Sequence, residues 1–269
     1  MNLDAVIWIN GMPRSGTSWL SQIFDSHPDV NFKLSPLFSY EFKNYATVNS
    51  LKPRWEKLFK EVSVSEDEFI NQTYRRLAGE YPVFMKSGIN KLVIKDTRYH
   101  NLTLRLLELF PQIKFIHIIR HPCGAVNSWL RAPKEFDQSL NPLEEWRSGQ
   151  SRKTSEEEFW GFEDWLKLTK LYLNLEKKYP NNVKVVNYEK LVNDPVNETK
   201  KMFAFVGLEM SSQTFDFIRK SQEAHHNGTY AVFKDKSVAQ KWETQLDSSI
   251  VEDIQRTLII NELDYLFNE

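Results

Sequence analysis

Short apolar runs rich in β-branched and aromatic residues recur along the chain at residues 5–9, 92–94, 115–119 and 183–186, each bounded by turn or helix signals. Runs this short and continuous predict strands buried on both faces. Residues 30–33 form a fifth, more mixed run. Between the runs the apolar positions change to helical spacing. Leu102, Leu106, Leu107 and Phe110 precede Pro111, and Trp165, Leu168, Tyr172 and Leu175 precede Pro180. Ile250, Ile254 and Leu258 mark a terminal helix. Strands alternating with helices predict an α/β fold: a doubly wound, mainly parallel sheet with helices on both faces. The sequence has no internal repeat and no low-complexity tract.

Two stretches break the alternation. Residues 36–90, rich in aromatics and charge, open on a Ser35-Pro36 helix start and are expected to be mostly helical. Residues 131–158 carry Pro133, Pro142 and Gly149 and read as a long irregular connection or lid. The carboxylates of Glu156, Glu157 and Glu158 are expected at the start of the following helix, where negative charge favours the dipole.

With 269 residues and 41% apolar content, one α/β domain over 1–269 is the simplest organisation. Thirty-five Lys and Arg against 36 Asp and Glu leave no global field for nucleic acid, so any anion site must come from local clustering. A single cysteine, Cys123, rules out an internal disulfide and suits a reducing compartment. The first strand begins within about four residues, which leaves no room for a signal peptide. No apolar stretch approaches the ~20 residues of a membrane span. A cytoplasmic protein is the expectation.

The chemistry concentrates where the first strand ends. Gly11-Met12-Pro13-Arg14-Ser15-Gly16-Thr17-Ser18-Trp19 is a glycine-bracketed turn running into a helix, which aims backbone N–H groups and a helix N-terminus at one point. Its spacing is that of a nucleotide-triphosphate loop, but Thr17 stands where that loop carries lysine and the cation sits inside, as Arg14. Two further strands end in a cation, Lys95 and Arg120. In an open parallel sheet, all three would point into the crevice beyond the strand ends. Arg120 leads into a Pro-initiated helix with Ser128 eight residues on. The two can share an anion if the loop between them folds back.

These residues resemble the sulfotransferases, which use 3′-phosphoadenosine-5′-phosphosulfate (PAPS) and release adenosine 3′,5′-bisphosphate (PAP). The Pro-Arg-Ser-Gly-Thr-Ser-Trp turn looks like the family's 5′-phosphosulfate loop, and Arg120 with Ser128 looks like its 3′-phosphate clamp. Tyr188-Glu189 through Pro195 is similar to an element near the adenine. Phe233-Lys234-Asp235-Lys236 through Gln240-Lys241-Trp242 is similar to the loop that closes over the nucleotide. Together the motifs span residue 6 to about 242, closest to the tyrosylprotein and the bacterial or carbohydrate branches. The resemblance implies donor contacts from Arg14, Ser15, Gly16, Thr17, Ser18, Trp19, Arg120, Ser128, Tyr188, Lys234 and Lys241. It further implies that residues 36–90 border the acceptor.

Sulfuryl transfer builds charge on the bridging oxygen, and Arg14 with Lys95 are the candidate donors to it. A metal is not required, because protein cations can serve this role. A hydroxyl acceptor also calls for a general base. The tyrosylprotein branch has a glutamate just after the second strand, where this chain has Ser35. Thr97 stands where the phenol and steroid branch has histidine. Glu41, on the helix expected from Pro36, and Asp96, beside Lys95, are the candidate bases. Phe38, Tyr40, Phe42 and Tyr45 either line an acceptor pocket or belong to the core, and His225-His226 reads as a solvated pair. A small-molecule or carbohydrate acceptor presenting a hydroxyl or an amine fits, with its identity and the oligomeric state open. Two alternatives use the same loop: an ATP-dependent kinase or NTPase, and a bisphosphate-binding module without catalysis.

Overall fold

Every residue of Val6–Gly11 is buried, as a strand covered on both faces must be, and this strand, β1, is the centre of the sheet. A computed structural model of the chain describes residues 6–223, 232 and 236–268. With β2 (Val30–Leu34), β3 (Lys91–Asp96), β4 (Lys114–Ile119) and β5 (Val183–Asn187), β1 forms a parallel sheet in the order β2-β3-β1-β4-β5. The helices are α1 (Thr17–Asp25), α2 (Lys52–Val64), α3 (Thr73–Leu77), α4 (Thr103–Leu109), α5 (Pro122–Leu130) and α6 (Pro142–Glu145). They continue with α7 (Gly161–Lys178), α8 (Tyr188–Asn193), α9 (Pro195–Val206), α10 (Ser212–Glu223), α11 (Trp242–Gln245) and α12 (Ser248–Ile260). None of the described helices is long and apolar enough to cross a membrane.

Strand side chains alternate between two cores. Val6, Trp8, Ile94 and Phe115 pack with Trp55 and Phe59 of α2, Leu106 of α4, Trp165 and Tyr172 of α7, and Ile254 of α12. Ile7, Ile9, Val93, Ile116 and Ile118 pack with Leu20 and Phe24 of α1, Phe203 of α9 and Phe217 of α10. Each fully buried side chain of this kind is worth ~1.5–3 kcal/mol over exposure. The fold is the α/β sheet covered on both faces that the alternation of elements predicts.

Register fixes what meets beyond the strand ends. β1 lies between β3 and β4, so successive connections leave to opposite sides and a crevice opens at its carboxyl end. Leu34 pairs with Lys95, so Ser35 follows beside Asp96. Ile119 pairs with Asn187, so Arg120 and Tyr188 emerge as neighbours.

Two expectations need correction. The helix start at Pro36 is one 3₁₀ turn, Pro36–Phe38. The Ser39 hydroxyl donates to the Pro36 carbonyl and accepts from the Phe42 N–H, which closes the turn locally. Residues 36–90 are α-helical only in α2 and α3. The connection over 131–158 is anchored to the core: Phe136 is buried, the Trp129 indole donates to the Glu135 carbonyl at 3.2 Å, and the Phe162 N–H donates to the Trp146 carbonyl at 3.0 Å. Glu156–158 do not open α7, whose first-turn acids are Glu163 and Asp164. Glu158 turns instead to Arg98.

Candidate functional site

The turn after β1 is shaped by its two glycines. A Cβ on Gly11 would stand 2.7 Å from the Ile118 carbonyl oxygen of β4. One on Gly16 would stand 2.5 Å from the Tyr188 ring, and Gly16 has φ +88°, which side-chain-bearing residues rarely adopt. Arg14 is also left-handed, at φ +69°. Gly16 provides no side-chain cap to α1, so the amides of its first turn face the crevice without one. Ser15 is fully buried, and its hydroxyl has no partner among the described residues. Trp19 is held from the other side by its indole, which donates to the Ser221 hydroxyl at 3.0 Å.

Arg120 comes to the same turn from β4. One terminal nitrogen donates to the Arg14 carbonyl at 3.0 Å and the other to the Val238 carbonyl at 3.0 Å. Its Nε is buried with no partner among the described residues. The guanidinium carbon lies 4.7 Å from the Tyr188 ring centre, close enough for a cation–π contact. Gly124 leaves room for it, since a Cβ there would stand 2.9 Å from Arg120 Nε. Ser128, on α5, accepts from Arg14 Nε at 3.2 Å. No loop folds back between Arg120 and Ser128, because α5 runs continuously from Pro122 through Ser128, and the serine is bonded to Arg14.

Lys95 and Asp96 close the β3 end. Burial pushes the Lys95 ammonium down to about 8, against Asp96 and Glu135, which favour its charged form. Burial pushes the Asp96 carboxyl up to about 6, opposed by the Arg98 N–H and by Lys95. Asp96 Oδ1 accepts from the Ser35 hydroxyl at 3.2 Å, the Thr97 N–H at 2.9 Å and the Arg98 N–H at 3.0 Å. Ser35 has φ +38° and is buried.

These groups border a cleft of about 540 Å³. Of the residues expected from the sequence, Arg14, Gly16, Thr17, Ser18, Trp19, Lys95, Arg120, Ser128 and Tyr188 line it. Ser15 and Asp96 sit behind its wall, and Lys241 is exposed and outside the lining. Glu41 is exposed, follows the 3₁₀ turn rather than lying on a helix, accepts from the Ser65 hydroxyl, and is not in the lining. Lys234 and His225-His226 lie outside the described residues. Phe38 lines the cleft, Phe42 is core, and Tyr40 is fully exposed.

The sequence reading passed over Arg75, Arg98, Arg152 and Glu135, which also line the cleft. Arg98 donates to Glu158 at 2.7 Å and lies 4.1 Å from the Phe38 ring centre. Arg152 lies 5.2 Å from the Trp160 ring centre. Only Arg98, three residues past a strand-end cation, carried a positional signal. Among the described residues no cluster of His, Cys, Asp and Glu is arranged to hold a metal ion. Cys123 is buried, and burial pushes its thiol up to about 12, as a packing residue's would be.

Comparison with known proteins gives a consistent picture. The family description "Sulfotransferase family" matches residues 6–212. Nodulation protein NoeE of Sinorhizobium fredii is 23% identical over 98% of this chain and 66% of its own length. Protein-tyrosine sulfotransferase A of Caenorhabditis elegans is 29% identical over 45% of this chain and 32% of its own. The chain thus spans between about one third and two thirds of these relatives. Mouse sulfotransferase SULT7A1, solved in complex with PAP, superposes with a TM-score of 0.56 at 16% identity, covering 99% of this chain and 84% of that one. The sulfotransferase domain from the curacin biosynthetic pathway does so with 0.53 at 18% identity, covering 96% and 98%. At these identities the superpositions speak for the fold.

Proposed function

The chain belongs to the sulfotransferase family, and on that premise we propose that it moves a sulfuryl group from PAPS to a hydroxyl of a small-molecule or carbohydrate acceptor. The observation that carries the donor assignment is the convergence of Arg14 and Arg120 on one cleft, joined through the Arg14 carbonyl at 3.0 Å. A molecule with anionic groups at both ends suits two guanidinium groups that share one turn.

The residues fit such a donor. The amides of residues 15–18 and the α1 N-terminus meet the 5′-phosphate. Arg120 holds the 3′-phosphate with Ser128, and its Nε, unpartnered among the described residues, offers a further donor. Tyr188, packed over Gly16, provides a flat face for the adenine. Transfer is in line: the acceptor oxygen bonds to sulfur as the bond from sulfur to the phosphate oxygen breaks. Arg14 and Lys95 meet the charge that grows on that oxygen. A preorganised donor at such a position is worth ~3 kcal/mol. Asp96 serves this arrangement by holding Ser35 and the Thr97–Arg98 turn beside Lys95.

Calorimetry with PAP, and with ATP in the presence and absence of Mg²⁺, tests the donor assignment. Metal-independent PAP binding tighter than that of Mg·ATP is the expected result. Mg·ATP binding without PAP affinity would overturn it in favour of a kinase or NTPase. Turnover of ³⁵S-labelled PAPS over a panel of phenols, alcohols and sugars then tests transfer.

A further inference from the structure

Resting on the transfer reading above, we infer that Glu135 takes the proton from the acceptor hydroxyl. Glu135 is the one carboxylate among the described residues that line the cleft. It is 8% exposed. Its Oε1 lies 3.8 Å from the Arg14 guanidinium, and its Oε2 is buried with no partner among the described residues. It is near enough to Lys95 to favour that ammonium. The carboxylate therefore stands against the Arg14 guanidinium and within electrostatic reach of the Lys95 ammonium, with one oxygen unpartnered among the described residues.

Its position is built, not incidental. The Glu135 N–H donates to the Ala132 carbonyl at 2.8 Å, and its own carbonyl accepts from the Trp129 indole at 3.2 Å. Phe136, next in the chain, is buried with its ring centre 5.4 Å from that of Trp129. The rigid end of α5 thus fixes the backbone, as a group that must meet a reacting proton requires.

The other candidates are occupied or elsewhere. Asp96 is fully buried and not in the lining, so its Oδ2, although without a partner among the described residues, does not border the cleft, and its Oδ1 closes a turn. Glu41 is exposed and bonded to Ser65. No histidine among the described residues lines the cleft. His100 and His117 are buried around Tyr172, and the His121 ring stacks on Trp242. Burial raises the Tyr81 phenol above its ordinary value, which makes it a poor acceptor of protons near neutrality.

The step balances. As the acceptor oxygen bonds to sulfur, its proton passes to Glu135. The electron pair of the breaking S–O bond stays on the 5′-phosphate oxygen, leaving PAP and a sulfate ester. Glu135 then releases the proton to solvent.

Glu135→Gln keeps size but cannot take a proton. Water and ethanol, small enough to enter any cleft, serve as probe acceptors, with [³⁵S]sulfate and ethyl [³⁵S]sulfate counted in single turnovers of bound PAPS. PAP affinity is measured in parallel by calorimetry. The expected result is a loss of ~10²-fold or more in transfer, with PAP affinity within about threefold of wild type and partial recovery in Glu135→Asp. Transfer within about threefold of wild type in Glu135→Gln overturns the inference. So does a PAP affinity that falls in step with the rate, which marks Glu135 as a tether for Arg14. A wild-type protein that binds PAP but transfers no faster than buffer overturns it while leaving the donor site standing. One that binds no PAP sinks the transfer reading itself.

Discussion

On the β1, β4 and β5 side of the cleft, carbonyls, glycines and strand register place the functional groups, whereas on the β2 and β3 side, side-chain carboxylates do so. Arg120 is set by the Arg14 and Val238 carbonyls, and Gly16 must be glycine for φ and for the Tyr188 ring alike. Across the cleft, Arg98 is set by Glu158, sixty residues on, while Arg75 is set by a nearer carboxylate, Glu80, at 2.6 Å. Backbone placement costs little further ordering and fixes an orientation. Partly exposed ion pairs of this kind are worth about 0–1 kcal/mol each. On the proposed reading the first side is the donor half and the second the acceptor half.

The largest effect that sharpens this contrast is on Arg14. Arg14→Ala should lower kcat by ~10²–10³-fold, since its contact strengthens as charge reaches the bridging oxygen. PAP affinity should fall by about tenfold or less. Paired kcat and calorimetric measurements decide between this and a pure binding role. A kcat within a few fold of wild type would move the transition-state contact elsewhere.

Arg120→Ala comes next. Charged hydrogen bonds of the kind it offers a phosphate are worth ~1.5–3 kcal/mol, so PAP should bind ~10–100-fold more weakly. At saturating donor, kcat should change little. Unaltered donor affinity would break the two-ended grip on which the contrast depends.

Lys95 belongs to the boundary between the halves, and its effect is one of pH. Burial holds the ammonium at about 8, so it is charged below that value and neutral above it. Because kcat/KM reports groups of the free enzyme, it should fall about tenfold per pH unit above 8. The donor's negative charge restores the ammonium in the complex, so the limb in kcat should lie further alkaline. A kcat/KM flat to pH 9.5 would remove Lys95 from the charge-stabilising set.

The same division explains what the sequence allowed to be read. All five strands, including the mixed run at Val30–Leu34, were visible because a doubly covered strand needs little but local apolar content. Arg14, Lys95 and Arg120 were visible because each follows such a run, and register carries them to one crevice. Glu135 and Arg152 had no comparable signal. They come from the irregular connection whose path depends on Trp129, Trp146 and Phe136 finding their places in the core. The Ser35-Pro36 start misled for a related reason. Proline fixes the first turn but not its continuation, and the Ser39 hydroxyl closes the turn on itself.

The smallest expected effect falls on the carboxylate that this false helix start made attractive. A helix running on from Pro36 would have carried Glu41 along the expected acceptor side. The chain turns at Ser39 instead. Glu41 faces outward, takes the Ser65 hydroxyl, and favours the charged form of the buried Lys33 ammonium, itself pushed down to about 8 by burial. That ammonium donates to the Ser65 carbonyl at 2.8 Å and to Asn71 at 2.7 Å, so its place does not rest on Glu41 alone. Glu41→Gln can still accept the serine hydroxyl, and it should leave single-turnover transfer to ethanol and water within twofold of wild type. A drop of tenfold or more, with PAP affinity intact, would place a reacting proton at the base of the β2 loop. The acceptor half would then be as firmly fixed by its local chain as the donor half.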